Sequence, residues 1–264
     1  MYRSESIEIK PADDETPVTV LPSSADLFSF YRQTLTQCAK LSTSTPLVDL
    51  SRLFGKWLQS YADQILSSSL EKSANIDHTC MILNTADYCL TTVSQLEERI
   101  KARVDEELRD QIQFDAARES FIQSANSAIR VLLKKVEQHV DHAFKEMVNT
   151  RWSDIETVGD HSGYVNEMVR GIKDGVTEIT GRGHLRERYI RTLCDRIVEW
   201  FGAKFIDSVI NCRPICEAGA EQVLLSSRQM GLILDALGCV HFEAGIVRVA
   251  GFEYGSSCST TCLV

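Results

Sequence analysis

A few residues of this chain have types and spacings that support chemistry, but each group is incomplete as a site. His139 and His142 lie three positions apart in a helical pattern, and two imidazoles supply only part of a metal coordination shell. Four cysteines form two CxxxC pairs, Cys212 with Cys216 and Cys258 with Cys262. Zinc ribbons use closer CxxC pairs. We therefore expect neither a metal nor a cofactor.

Other sequence patterns that could indicate cofactor binding or catalysis lack the surrounding elements that such sites require. Gly181-Arg182-Gly183 resembles the opening of a dinucleotide-binding loop, but Arg186 stands at the third glycine position and no strand pattern precedes it. No Ser/His/Asp, Cys/His or paired-carboxylate arrangement lies where a fold would activate it. The sequence therefore predicts a protein that is not an enzyme.

A basic cluster follows this glycine turn, and it has two interpretations. Its members are Arg182, His184, Arg186, Arg188, Arg191 and Arg196. Glu187 and Asp195 interrupt the cluster, which favours an ordinary solvated helix face. The alternative is a contact surface for an acidic partner or for anionic lipid headgroups. This candidate interaction surface comprises Arg182, Arg186, Arg188 and Arg191.

Composition restricts the class of protein. The chain has 264 residues, 44% of them hydrophobic, which is enough to form a large core. Asp and Glu number 37 against 28 Lys and Arg, and the resulting formal charge of −9 disfavours binding to nucleic acid. The nine cysteines are scattered and odd in number, which indicates reduced thiols. No apolar leader or membrane-spanning stretch is encoded, so we expect a cytosolic location.

Apolar residues recur at spacings of three and four along most of the chain, which predicts seven amphipathic helices and no strand before residue 239. The predicted helices cover about 27–41, 45–65, 77–108, 115–147, 164–179, 184–209 and 223–237. Asp77 is the expected cap of the third helix. Trp57 and Trp200 fall in register with the core stripes.

Long helices with narrow apolar stripes predict an all-α protein built from antiparallel bundles stacked end to end as an elongated rod. We expect a disordered acidic tail over 1–23, a first bundle over 24–150 and a second bundle over 151–238. A divergent tail rich in Gly, Ser and Cys, irregular or forming a hairpin, is expected over 239–264. Trp152, Asp160 and Tyr164 are the candidate residues of a junction between the bundles.

Four short segments resemble one family, and they occur in the order of that family. The segments are Leu53-Phe54-Gly55-Lys56-Trp57-Leu58, Asn84-Thr85-Ala86-Asp87-Tyr88-Cys89, Val158-Gly159-Asp160-His161-Ser162-Gly163-Tyr164-Val165 and Gly219-Ala220-Glu221-Gln222-Val223-Leu224-Leu225. They are similar to the family of vacuolar protein sorting subunit fifty-three. That subunit belongs to the Golgi-associated retrograde protein (GARP) complex and to the related endosomal recycling tether. The likeness runs from about residue 24 to 238 and corresponds to the later, rod-forming part of longer family members.

The resemblance implies a noncatalytic subunit of a CATCHR-class tether for retrograde transport from endosomes to the trans-Golgi network and for endosomal recycling. The implied partners are sister tether subunits, SNAREs and Rab- or Arf-like small GTPases, with peripheral membrane association through these partners. The alternative hypothesis is a stand-alone helical effector or adaptor that binds a small GTPase or an anionic membrane surface.

Overall fold

The computed structural model describes residues 7–9, 18–72, 75–159, 162–181 and 185–236. Helices dominate these residues. The α-helices are α1 (Pro22–Leu41), α2 (Thr45–Tyr61), α3 (Ser68–Lys72), α4 (Ile76–Lys101), α5 (Asp115–Asn149), α6 (Gly163–Thr180), α7 (Glu187–Asn211) and α8 (Glu217–Ala236). A π-helical stretch, Ala62–Ser67, connects α2 to α3, and a 3-10 helix, Glu106–Gln111, lies between α4 and α5. The predicted all-α class is confirmed.

The chain divides into two compact units. The first contains Met1–Lys135 and Val176–Leu193, and the second contains Val136–Gly175 and Cys194–Val264. The sequence instead places a division near residue 150, and that division stays a prediction. The expected tail over 239–264 lies outside the described residues.

The N-terminal segment contains two short strands, β1 (Ile7–Ile9) and β2 (Val18–Val20), which pair antiparallel with Ile7 opposite Val20. The prediction of no strand before residue 239 is therefore wrong, and the prediction of a tail over 1–23 did not include these two strands. Val20 is completely buried, and the Leu21 N–H donates to Thr85 Oγ1 on α4 at 2.9 Å. Contact with α4 thus stabilises strands whose local sequence pattern is weak.

The core of the first unit forms where α1 and α2 pack against α4. Tyr31 of α1 stacks on Phe54 of α2 with ring centroids 4.0 Å apart. Phe28 of α1 meets Tyr88 of α4 edge to face at 5.8 Å. Several α4 residues have no solvent exposure, among them Ile82, Leu83, Ala86 and Cys89. Because α4 is buried along this face, its stability comes mainly from packing against its neighbours.

A partly buried carboxylate connects the end of α4 to α5. The Glu97 side chain is 11% exposed and accepts hydrogen bonds from Lys101 Nζ at 2.6 Å and Arg118 Nη1 at 2.5 Å. Burial alone would raise the pKa of Glu97, but these two hydrogen bonds outweigh burial and hold its pKa below the ordinary glutamate value. The ion pair between Glu97 of α4 and Arg118 of α5 positions the start of α5 on α4.

The position of Trp57 differs from the apolar face that the sequence predicts for α2. The buried residues of this helix are Leu47, Val48, Ser51, Phe54, Leu58 and Tyr61. Trp57 is 57% exposed, so its placement in the core was wrong. One residue along an α-helix turns the side chain by about 100°, and Trp57 therefore lies off the face that carries Leu58.

Both ends of α4 differ from the prediction. The cap is Asn75, whose side chain accepts from the Asp77 N–H at 3.1 Å, and not Asp77 itself. The helix ends at Lys101 instead of continuing to residue 108. The Asp105 N–H donates to the carbonyl oxygen of Thr43 at 3.0 Å, and this tertiary hydrogen bond replaces a helical one.

In the second unit, two glycines of α6 permit a close approach to α5. A Cβ added at Gly171 would lie 2.6 Å from the carbonyl oxygen of His139, and one at Gly175 would lie 3.2 Å from Val136 Cα. The aromatic residues of α7 pack on α5 as well, since Phe201 lies 5.3 Å from Phe144 between ring centroids. Glycines that weaken α6 as an isolated helix thus allow it to pack on its neighbour.

Candidate functional site

The loop after α5 is built around Trp152, which is 1% exposed. Its indole Nε1–H donates to the carbonyl oxygen of Met147, in the last turn of α5, at 2.8 Å. The edge of Tyr164, in the first turn of α6, faces the indole at 6.1 Å between centroids and an interplanar angle of 80°. One aromatic side chain therefore connects the end of α5 to the start of α6.

Residues at and just before the start of α8 contact the same loop. Cys216 donates twice to the carbonyl oxygen of Trp152, from its N–H at 3.2 Å and from its thiol at 3.0 Å. A Cβ at Gly219 would lie 2.5 Å from that oxygen. The Gln222 Oε1 accepts from the Gly159 N–H at 2.7 Å. We call Trp152, Tyr164, Cys216, Gly219 and Gln222 the Trp152 junction.

The chemistry of the Trp152 junction is structural. Its polar contacts are mostly backbone carbonyls that accept from buried donors. Burial raises the pKa of the Tyr164 phenol and of the neighbouring Cys212 thiol, so both stay protonated near neutral pH. A protonated thiol is a poor nucleophile.

The structure brings Trp152 and Tyr164 into contact and places both in the second unit. Asp160, the third candidate residue, lies outside the described residues. A role for these residues between two bundles stays a prediction.

The basic cluster contributes to a second site, which lies in the first unit around Asp87 of α4. The Asp87 side chain is 3% exposed. Arg186 Nη1 lies 2.7 Å from its Oδ2, Arg188 pairs with Oδ1, and the Tyr189 OH donates to Oδ1 at 2.7 Å. We call these four residues the Asp87 cluster. Burying a carboxylate costs several kcal/mol unless opposite charges and hydrogen bonds compensate for it, as they do here.

The arginines predicted as one interaction surface have different environments. Arg186 is 16% exposed and is committed to Asp87. Arg188 is about half exposed, pairs with Asp87 and lies 5.0 Å from the centre of the Tyr189 ring. Arg191 is exposed and pairs with Glu187 one helical turn away. Arg182 lies outside the described residues. A contact role for the exposed members stays a prediction.

One exposed group has the composition of a metal site. Atoms of His142, Glu146 and Glu167 lie within 4.8 Å of one another on α5 and α6. His142 Nδ1 is 3.7 Å from a carboxylate oxygen of each glutamate. Exposed acidic groups beside a histidine are common on surfaces without any ion, so this group alone assigns no metal.

Sequence reasoning gave no role to Asp87, Cys216 or Gly219, although each lies in or beside a segment used for the resemblance. A signal existed for Asp87, because a carboxylate among apolar residues on a buried helix face requires a charged partner. The identity of that partner was hidden, since Arg186 and Arg188 lie far from Asp87 in the chain.

Comparison with protein families gives a match over residues 6–233 to the family described as Exocyst complex component Sec6. This match covers most of the chain. The chain belongs to the Sec6 family. Both the Asp87 cluster and the Trp152 junction lie within the matched residues.

Curated relatives confirm the resemblance that the four segments predicted. The chain is 26% identical over 240 residues to Vacuolar protein sorting-associated protein 53 A of Arabidopsis thaliana, covering 84% of this chain and 29% of that protein. It is 26% identical over 255 residues to the Caenorhabditis elegans homologue, covering 86% and 31%. The Saccharomyces cerevisiae protein of the same name is 31% identical over 177 residues, covering 62% and 21%. The chain thus spans about 30% of the length of the first two relatives.

A solved structure supports the fold. The C-terminal domain of the exocyst subunit Sec6p superposes with a TM-score of 0.70 at 11% identity, covering 90% of this chain and 65% of that one. The described part of this Sec6-family fold is mostly helical, and none of its helices is long and apolar enough to cross a membrane.

Proposed function

We propose that the protein is a noncatalytic subunit of a multisubunit vesicle tether that acts in retrograde transport from endosomes to the trans-Golgi network and in endosomal recycling. Its partners in this role are sister tether subunits, SNAREs and Rab- or Arf-like small GTPases. The observation that carries the proposal is the similarity to proteins named Vacuolar protein sorting-associated protein 53 from a plant, a worm and a yeast.

The geometry supports a noncatalytic role. The buried Asp87 carboxylate pairs with the mostly buried Arg186 guanidinium, so this carboxylate is not available to act on a substrate. In the Trp152 junction, the Trp152 indole and the Cys216 thiol donate hydrogen bonds to backbone carbonyl oxygens. These two sites position helices, which is what a scaffold for protein contacts requires.

Affinity purification tests the proposal. The tagged chain is expressed in cells, recovered under mild detergent, and its copurifying proteins are identified by mass spectrometry. We expect three other large coiled-coil tether subunits in near-equal amounts. Recovery of a lone small GTPase, without such subunits, would contradict the proposal and support a stand-alone effector. A matched control is Asp87→Asn, which tests whether recovery depends on the folded first unit.

A further inference from the structure

A groove with an apolar floor and a cationic rim runs along the seam between α1 and α4 in the first unit. Its volume is about 250 Å³. Phe28, Leu35 and Leu96 form the floor, and each is at most 6% exposed. Arg32 of α1 and Arg99 of α4, with Arg103 just beyond the end of α4, line the rim. We call these six residues the arginine groove.

The three arginines have no acidic partner within the part of the chain that the structure describes. None of their guanidinium groups lies within 4.0 Å of a described carboxylate. Arg103 Nη1 donates to the carbonyl oxygen of Arg99 at 3.1 Å, which fixes it at the end of the groove. Arginines elsewhere, such as Arg52 and Arg196, do pair with carboxylates.

The three arginines line one groove of a chain that is acidic as a whole. The formal charge is −9, so carboxylates are in excess, yet three cations converge here without one. Like charges brought together repel, and the repulsion is relieved when an anion enters. Charge complementarity therefore favours an acidic ligand from outside the chain.

The apolar floor decides which acidic ligand fits. A free phosphate or a lipid headgroup pairs with guanidinium groups but offers no apolar atoms to cover Phe28, Leu35 and Leu96. A peptide carries both kinds of group, and helical or extended peptides commonly bind in grooves between helices through apolar anchors. Arginine also pairs with a carboxylate through two parallel hydrogen bonds.

We propose that the arginine groove binds an acidic peptide segment of a partner protein. The segment inserts an apolar side chain against the floor, and its carboxylates pair with Arg32 on one wall and with Arg99 and Arg103 on the other. Cations on both walls require acidic residues on both sides of the apolar anchor. This inference goes beyond the proposed tether role, because it holds for any partner with such a segment.

Fluorescence anisotropy tests the inference with the full chain and a fluorescein-labelled peptide in which glutamate pairs flank a Phe-Leu step. We expect saturable binding that the combined variant Arg32→Glu, Arg99→Glu and Arg103→Glu weakens at least tenfold. The matched control, Arg52→Glu, Arg109→Glu and Arg130→Glu, changes the net charge equally and leaves binding within about twofold. Circular dichroism checks that both variants fold, and an Arg→Gln set replaces any that does not.

Two further peptides and two other anions complete the test. A copy with lysine in place of glutamate and a copy with serine in place of Phe-Leu are both expected to bind at least tenfold more weakly. Equal binding of the serine copy, absence of binding by the acidic peptide, or equal weakening by both arginine variants would overturn the inference. Binding of inorganic phosphate or of phosphatidylserine vesicles without binding of the acidic peptide would also overturn it and would assign the groove to phosphate.

Discussion

Asp87 shows how a single residue holds distant parts of the chain together. Its carboxylate is almost fully buried, and two guanidinium groups and a phenol from the segment 186–189 compensate for its charge. Burial raises the pKa of the Tyr189 phenol, and the nearby arginines oppose that rise only in part, so Tyr189 remains a donor to Asp87 at neutral pH. The cluster thus fixes the start of α7 and the residue before it on α4.

Replacing Asp87 tests this role. Asp87→Asn keeps the shape of the side chain but removes the negative charge that lies 2.7 Å from the Arg186 guanidinium. We expect a loss of about 3 kcal/mol in the free energy of unfolding, the usual cost of removing one partner from a buried ion pair. Urea denaturation followed by circular dichroism measures it. The exposed pair Asp49 and Arg52 supplies the control, because Asp49→Asn is expected to cost less than about 1 kcal/mol. Equal costs for the two variants would show that Asp87 is not an electrostatic anchor.

At the residue level, the sequence predicts only what the local pattern carries. Trp152 is an aromatic residue in a stretch without helical periodicity, and the structure buries it, while its role at a junction between bundles stays a prediction. Trp57 was misplaced because apolar spacing does not distinguish two neighbouring faces of one helix. The pairing of Asp87 with Arg186 was not predictable, since it depends on which helices become neighbours.

At the scale of elements, helix existence was predictable and helix ends were not. All seven predicted helices correspond to long helices of the structure, because each has an apolar stripe over several turns. The chain after the end of α4 makes a tertiary hydrogen bond from the Asp105 N–H to the Thr43 carbonyl oxygen, which no local pattern reveals. The strands β1 and β2 were missed for the same reason, since their stability depends on α4.

The glycines of α6 give a prediction at this scale. Gly171→Ala would place a Cβ 2.6 Å from a backbone oxygen of α5, so the two helices must move apart. We expect a loss of about 2 kcal/mol in the free energy of unfolding, despite the higher helix propensity of alanine. Gly163→Ala is the matched control on the same helix, because its added Cβ meets nothing within 4 Å. Urea denaturation of both variants should separate them, and a Gly171→Ala variant as stable as the parent would refute close packing of α5 and α6.

For the whole molecule, the sequence pattern, the family match and the structure agree on a helical protein of the Sec6 family. The apolar periodicity identified the fold class, and the four short segments identified the relatives. Neither the apolar periodicity nor the four segments indicated the arginine groove, because its arginines lie on or beside two helices and only the packing of these helices brings them together. Surfaces that bind partners are built from such combinations, so they are the last features that a sequence reveals.

Net charge yields the prediction that separates the tether proposal from a membrane-binding effector. Each arginine near an anionic membrane contributes about 1 kcal/mol of attraction, and the three in the groove act against a formal charge of −9 over the whole chain. We expect the purified chain to remain in the lipid-free fraction when floated with vesicles containing phosphatidylserine at physiological salt. The same chain, carrying a histidine tag, floats with nickel-chelating vesicles as a positive control.

Flotation with phosphatidylserine that disappears at high salt would favour direct membrane binding. Its absence favours recruitment through partner proteins, because a repelled chain needs a protein contact to reach the membrane.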